Sequence, residues 1–79
     1  MDYKNDKVVV GKKQILRALS ENNVKSITVA TDADSEYADT ILHVAKLHNV
    51  KVERKNTMEQ IAAEYGIDVP SGAVAQLKD

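Results

Sequence analysis

The chain is 79 residues long, is 43% hydrophobic and carries a formal net charge of -1. That leaves room for one domain with a modest core, and enough apolar content to exclude a disordered chain. The absence of cysteine excludes a disulfide framework and a thiolate metal site, no apolar run approaches the ~18 residues of a membrane span, and residues 1–7 are polar with no signal-peptide apolar block.

Residues 8–10, three valines closed by Gly11, read as a strand. Residues 12–22 read as a helix: at 100° per residue Ile15, Leu16 and Leu19 share one side, while Lys13, Gln14, Arg17 and Glu21 fall on the other. Asn22 and Asn23 end it. Residues 26–30 form a β-rich run, expected to be a central strand. Asp34 or Ser35 can cap a helix over 35–48, with Glu36 and Asp39 in its first turn and Ala38, Ile41, Leu42 and Ala45 as its apolar stripe. Residues 50–53 alternate with period two and predict a third strand. Thr57 and Gln60 match a capping box for a helix over 57–65, which Gly66 stops. Residues 68–72 are a loop, and 73–77 a closing strand. Strands alternating with helices predict an α/β fold with helices on both faces of a sheet. The expected core is Ile15, Leu19, Ile27, Val29, Ile41, Leu42, Val52, Ile61 and Val74.

Charge is unevenly spread. Residues 1–17 hold Lys4, Lys7, Lys12, Lys13 and Arg17 against Asp2 and Asp6, whereas 18–50 hold Lys25 and Lys46 against five acids. One end is basic enough for a compact anionic ligand but not for coating long nucleic acid. Gly11 removes a side chain where backbone must come close to something. Free N–H groups of the following helical turn favour an anion. Lys13, Gln14 and Arg17 project together and are types that contact phosphate or base edges. The alternative is the ordinary solvated face of an amphipathic helix. The loop from Ile67 to Gly72 can pack against an unstacked base, or can simply turn Ile67 and Val69 inward.

The acids from Asp32 to Glu36 do not make a calcium loop, because its sixth and twelfth positions would be Tyr37 and His43 rather than glycine and glutamate. Helix capping explains them better. His43 and His48 are five apart, off one helical face, and no HExxH motif is present. Nucleophile-elbow, Gly-x-Gly-x-x-Gly and Walker patterns are missing, so neither an enzyme nor a metal or other cofactor is expected.

Three stretches in order, Val-Val-Val-Gly-Lys-Lys-Gln-Ile-Leu-Arg-Ala-Leu (8–19), Ser-Ile-Thr-Val-Ala-Thr-Asp-Ala-Asp (26–34) and Glu-Tyr-Gly-Ile-Asp-Val-Pro-Ser-Gly-Ala-Val-Ala (64–75), resemble the L-seven-Ae-like kink-turn RNA-binding ribosomal protein family, closest to its small bacterial members. The resemblance runs from about residue 7 to 77. It implies a three-layer α/β/α sandwich around a four-stranded mixed sheet. It also implies non-catalytic binding of structured RNA, the kink-turn with tandem sheared G·A pairs. By resemblance Gly11, Lys12, Lys13, Gln14 and Arg17 fall on the segment that reads those pairs. Ile67, Asp68, Val69, Pro70 and Ser71 fall on the loop covering the flipped-out bulge nucleotide. The chain differs from the common pattern at Ile61-Ala62, where Leu-Gly is usual, at Met58-Glu59, where basic residues are frequent, and at Pro70 and Gly72, where alanines are common. The implied setting is a single cytoplasmic domain over 1–79, acting as a monomer on regulatory or ribosomal RNA in a ribonucleoprotein. The rivals are a protein-interaction module of the same fold without RNA binding, and an RNA-recognition domain of an RNA-modifying enzyme.

Overall fold

The computed structural model describes residues 7–67 and 71–78. Seven elements follow in the expected order: β1 (Val8–Val10), α1 (Lys12–Ser20), β2 (Val24–Val29), α2 (Ser35–Leu47), β3 (Lys51–Arg54), α3 (Met58–Tyr65) and β4 (Ala73–Leu77). They build one mixed sheet in the order β1-β4-β2-β3. The last strand is therefore inserted between the first two, antiparallel to both, while β3 runs parallel to β2 on the outer edge. A register shift between Val24 and Ser26 starts β2 two residues before the expected run.

Side-chain alternation along the interior strands feeds two apolar layers. Val24, Ile27, Val29, Ala73 and Ala75 pack against Ile15, Ala18 and Leu19 of α1 and Ala38, Ile41 and Ala45 of α2. Val74 points the other way and joins Val8, Ala30, Ile61 and Tyr65 beneath α3. This is the α/β/α sandwich with a four-stranded mixed sheet. Seven of the nine expected core residues are buried. Leu42 and Val52 are only half-buried, because β3 is an edge strand and both side chains lie at its open rim beside Val50. The alanines do more than expected: Ala18, Ala30, Ala38, Ala45, Ala73 and Ala75 are all buried, and small side chains let helices and sheet approach closely.

All three helices end by one device. Asn22 and Asn49 adopt φ of 55° and 58°, and Gly66 adopts φ of 67°. The N–H groups of Asn23, Val50 and Ile67 then return to the carbonyls of Ala18, Ala45 and Ala62 at 3.1, 2.9 and 2.9 Å. Asparagine tolerates this left-handed conformation better than most side chains, and α1 and α2 end at Ser20 and Leu47, just short of the expected residues 22 and 48.

Candidate functional site

The sheet order brings four connections to one end of the molecule, where α1, α2 and α3 all begin. Backbone groups join them. Gly11 N–H donates to Ala73 O at 3.2 Å, Ala30 N–H to Gly72 O at 2.8 Å and Thr31 N–H to Asn56 O at 2.7 Å. The side chain of Asp32 accepts Met58 N–H at 2.9 Å, and Asp34 accepts Tyr37 N–H at 3.2 Å as the cap of α2. Helix starts thus occupy both acids. Glu36 lies in the first turn of α2, while Asp39 falls one turn further on. Among the described residues no cluster of three or more His, Cys, Asp or Glu is arranged to hold a metal ion.

Gly11 sits at φ 94° and ψ 152°, a conformation open to glycine almost alone. A Cβ there would meet nothing within 4 Å. The backbone conformation, and not a close approach within the chain, is what demands glycine; the space above it is open. The backbone N–H of Lys12 lies close enough to the phenol of Tyr37 to favour its charged form. The Lys12 ammonium lies 5.7 Å from the centre of the same ring, close enough for a cation–π attraction.

Beyond that turn, Lys13, Gln14 and Arg17 are exposed. Gln14 and Arg17 share a shallow groove of about 180 Å³ with Val9, Ala18, Glu21, Asn23 and Leu77. Arg17 Nε stands 3.9 Å from the Glu21 carboxylate. Both groups are solvated, so the pair is weak and easily exchanged for another partner.

The second segment divides. Ile67 is half-buried and packs on the cluster beneath α3, which is the inward of its two expected orientations. Asp68, Val69 and Pro70 lie outside the described residues. Ser71 is buried, and its hydroxyl donates to Ala73 O at 2.9 Å. Ala73 O therefore accepts from Gly11 and from Ser71 at once, pinning the start of α1 to the end of the loop.

Two residues of this end carried no expectation. Tyr37 lines an open, mostly apolar pocket of about 270 Å³ with Ala33, Asp34, Met58 and Gly72. Burial raises its pKa above the ordinary value, partly offset by the Lys12 N–H. Arg54 reaches from β3 to the carbonyls of Ala30 and Thr31 at 3.3 and 3.5 Å and braces the connection before α2. A lone aromatic three residues after the cap Asp34 was the available signal for Tyr37.

A small α/β/α sandwich with a basic helix start tied to the loop before its last strand defines the class. The Ribosomal protein L7Ae/L30e/S12e/Gadd45 family matches residues 2–79, and the chain belongs to that family. It is 38% identical over 72 residues to an RNA-binding protein of Geobacillus sp. (strain WCH70), covering 91% of this chain and 88% of that one. It is 35% identical over 72 residues to the RNA-binding protein YbxF of Geobacillus stearothermophilus, again over 91% of this chain and 88% of the relative. A solved structure of a protein of unknown function from Bacillus halodurans C superposes with a TM-score of 0.80 at 16% identity, over 94% of this chain and 73% of the other. That likeness shows the fold. No described helix is long and apolar enough to cross a membrane.

Proposed function

We propose that this chain is a non-catalytic binder of structured RNA, that its target is a kink-turn, and that the start of α1 and the loop before β4 form the contact surface. The observation that carries the reading is the shared acceptor Ala73 O, which holds Gly11 and Ser71 together although sixty residues separate them. That link supports reading the two segments as one surface. Lys13 and Arg17 supply phosphate contacts, Gln14 a paired donor and acceptor for a G·A edge. Residues 67–71 and the pocket beside Tyr37 take the unstacked nucleotide. The family and the names of the relatives support RNA as the ligand. The proposal includes a single domain acting as a cytoplasmic monomer, with ribosomal RNA one source of the target.

The test is a salt titration of binding to a kink-turn and to a plain duplex. Gln14→Ala is expected to weaken kink-turn binding by about 1–3 kcal/mol and leave duplex binding almost unchanged. Arg17→Ala should weaken both and flatten the salt slope by about one unit. Lys51→Ala, at the exposed start of the edge strand β3, is the control and should do little. A second reading, a protein-interaction module, draws on Glu21 beside Arg17 and on the net charge of -1. Equal binding of the unaltered protein to both RNAs at every salt concentration would favour it.

A further inference from the structure

Tyr37 belongs to none of the sequence motifs, yet it touches both halves of the proposed surface. Its ring lies 5.7 Å from the Lys12 ammonium, its phenol feels the Lys12 N–H, and the ring fills the place where a side chain at residue 72 would stand. A Cβ on Gly72 would lie 2.8 Å from Cε1, 3.1 Å from Cζ and 3.4 Å from Cδ1 of that ring. Gly72 is not among the glycines with positive φ, so backbone conformation does not require a glycine there. The ring does. Gly72 cannot easily withdraw, so the ring is what must give. Gly72 O accepts Ala30 N–H at 2.8 Å, and Tyr37 is held at its backbone by Asp34 and lies with its ring 5.7 Å from the Lys12 ammonium. The ring under the Lys12 ammonium and the missing side chain at Gly72 are a matched pair.

We propose that Tyr37 is the positioning residue of the RNA-binding surface: a strut that sets the separation between the first turn of α1, with Lys13 and Gln14, and the segment that enters β4 behind residues 67–71. This inference rests on the reading of that surface as an RNA site. It adds that recognition depends on a residue of α2 that need not touch the RNA. A side chain at residue 72 pushes the ring, and through its contact with Lys12 the ring carries the start of α1 with it. Removing the phenol oxygen frees Lys12 N–H without changing the ring's volume.

Four variants test it: Gly72→Ala, Tyr37→Ala, the two combined, and Tyr37→Phe. Gly72→Ala is expected to weaken kink-turn binding about tenfold, as overpacking that displaces a neighbouring ring does, with weak duplex binding preserved. In the Tyr37→Ala background the same change should have no further effect, since residues in contact are non-additive. Tyr37→Phe should keep its fold by circular dichroism, speed hydrogen exchange at the Lys12 amide, and weaken kink-turn binding about fivefold, the worth of one hydrogen bond. Kink-turn binding unchanged in both Gly72→Ala and Tyr37→Phe, while the unaltered protein still prefers the kink-turn to the duplex, overturns the positioning role. Equal binding of the unaltered protein to both RNAs overturns the function instead. The strut is then read from Lys12 exchange and from the melting temperatures of the four variants, where strictly additive losses overturn it.

Discussion

Two of the helices begin in opposite ways. The start of α3 is self-sufficient: Thr57 Oγ1 accepts Gln60 N–H at 3.2 Å, and the Gln60 side chain accepts Thr57 N–H at 2.9 Å. Glu59 adds negative charge in the first turn, where the helix dipole favours it. The start of α1 has no side-chain cap and no acid in its first turn. It begins with two lysines, and what holds it comes from far away in sequence: Ala73 O accepts Gly11 N–H, and the Tyr37 ring lies under the Lys12 ammonium. A helix that serves only the fold closes its own end. On the proposed reading, the α1 start meets an anionic ligand, which fits its lack of acids and its hold by distant residues.

Substitutions at the two starts sharpen the contrast. The largest effect is expected for Gly11→Ala. A side chain there has room but must adopt φ 94°, at a cost of about 1–3 kcal/mol. Urea unfolding should show that loss, and kink-turn binding should fall together with it, because relaxing the strain moves Lys12 and Lys13. A Gly11→Ala protein with unaltered stability would show that the helix enters by a different backbone path. Thr57→Ala comes next, at about 1 kcal/mol of stability. RNA affinity measured well below the melting temperature should be unchanged. Loss of affinity in Thr57→Ala, at a temperature where the protein stays folded, would mean that the α3 start belongs to the surface after all.

The same contrast explains what could be read from residue order alone. The start and stop of α3, Thr57 with Gln60 and then Gly66, are written within ten residues, and local signals of this kind read directly. So did the apolar faces of α1 and α2, while the cap of α2 was left between Asp34 and Ser35 and falls to Asp34. Leu42 and Val52 were placed too deep because their burial depends on which strand ends up at the edge, and the order β1-β4-β2-β3 is decided by long-range pairing that no local window contains. The candidate surface was legible in its outward residues, Lys13, Gln14 and Arg17. It was not legible in what holds it: Ser71 looks like a loop residue until its hydroxyl is seen turned inward on Ala73 O, and Tyr37 reads as one more residue of α2. The partners of α1's first turn come from α2 and β4, and nothing near residue 12 names them.

The smallest expected effect concerns that phenol and pH. Burial raises the pKa of Tyr37 above its ordinary 10.0, and the Lys12 N–H offsets only part of the rise. The neutral phenol is thus favoured in the folded state. As pH rises past the ordinary value, the unfolded chain loses this proton first and binds fewer protons than the folded chain, so stability falls. The contribution is fully present below pH 10.0 and is lost as pH passes through the raised pKa of the folded state. Lysines titrate in the same range, so a single protein's alkaline unfolding says little about one tyrosine. The useful quantity is the difference between the unaltered protein and Tyr37→Phe, which lacks the ionisation and keeps the ring. Urea midpoints taken from about pH 8 to about pH 11 should converge as pH rises, or cross, because the unaltered protein loses more. The difference should be small, since Tyr37 is half-exposed and water screens much of the cost. A constant difference across that range would mean that the folded protein disfavours the charged phenol no more than the unfolded chain does, the Lys12 N–H then offsetting the burial of the ring in full.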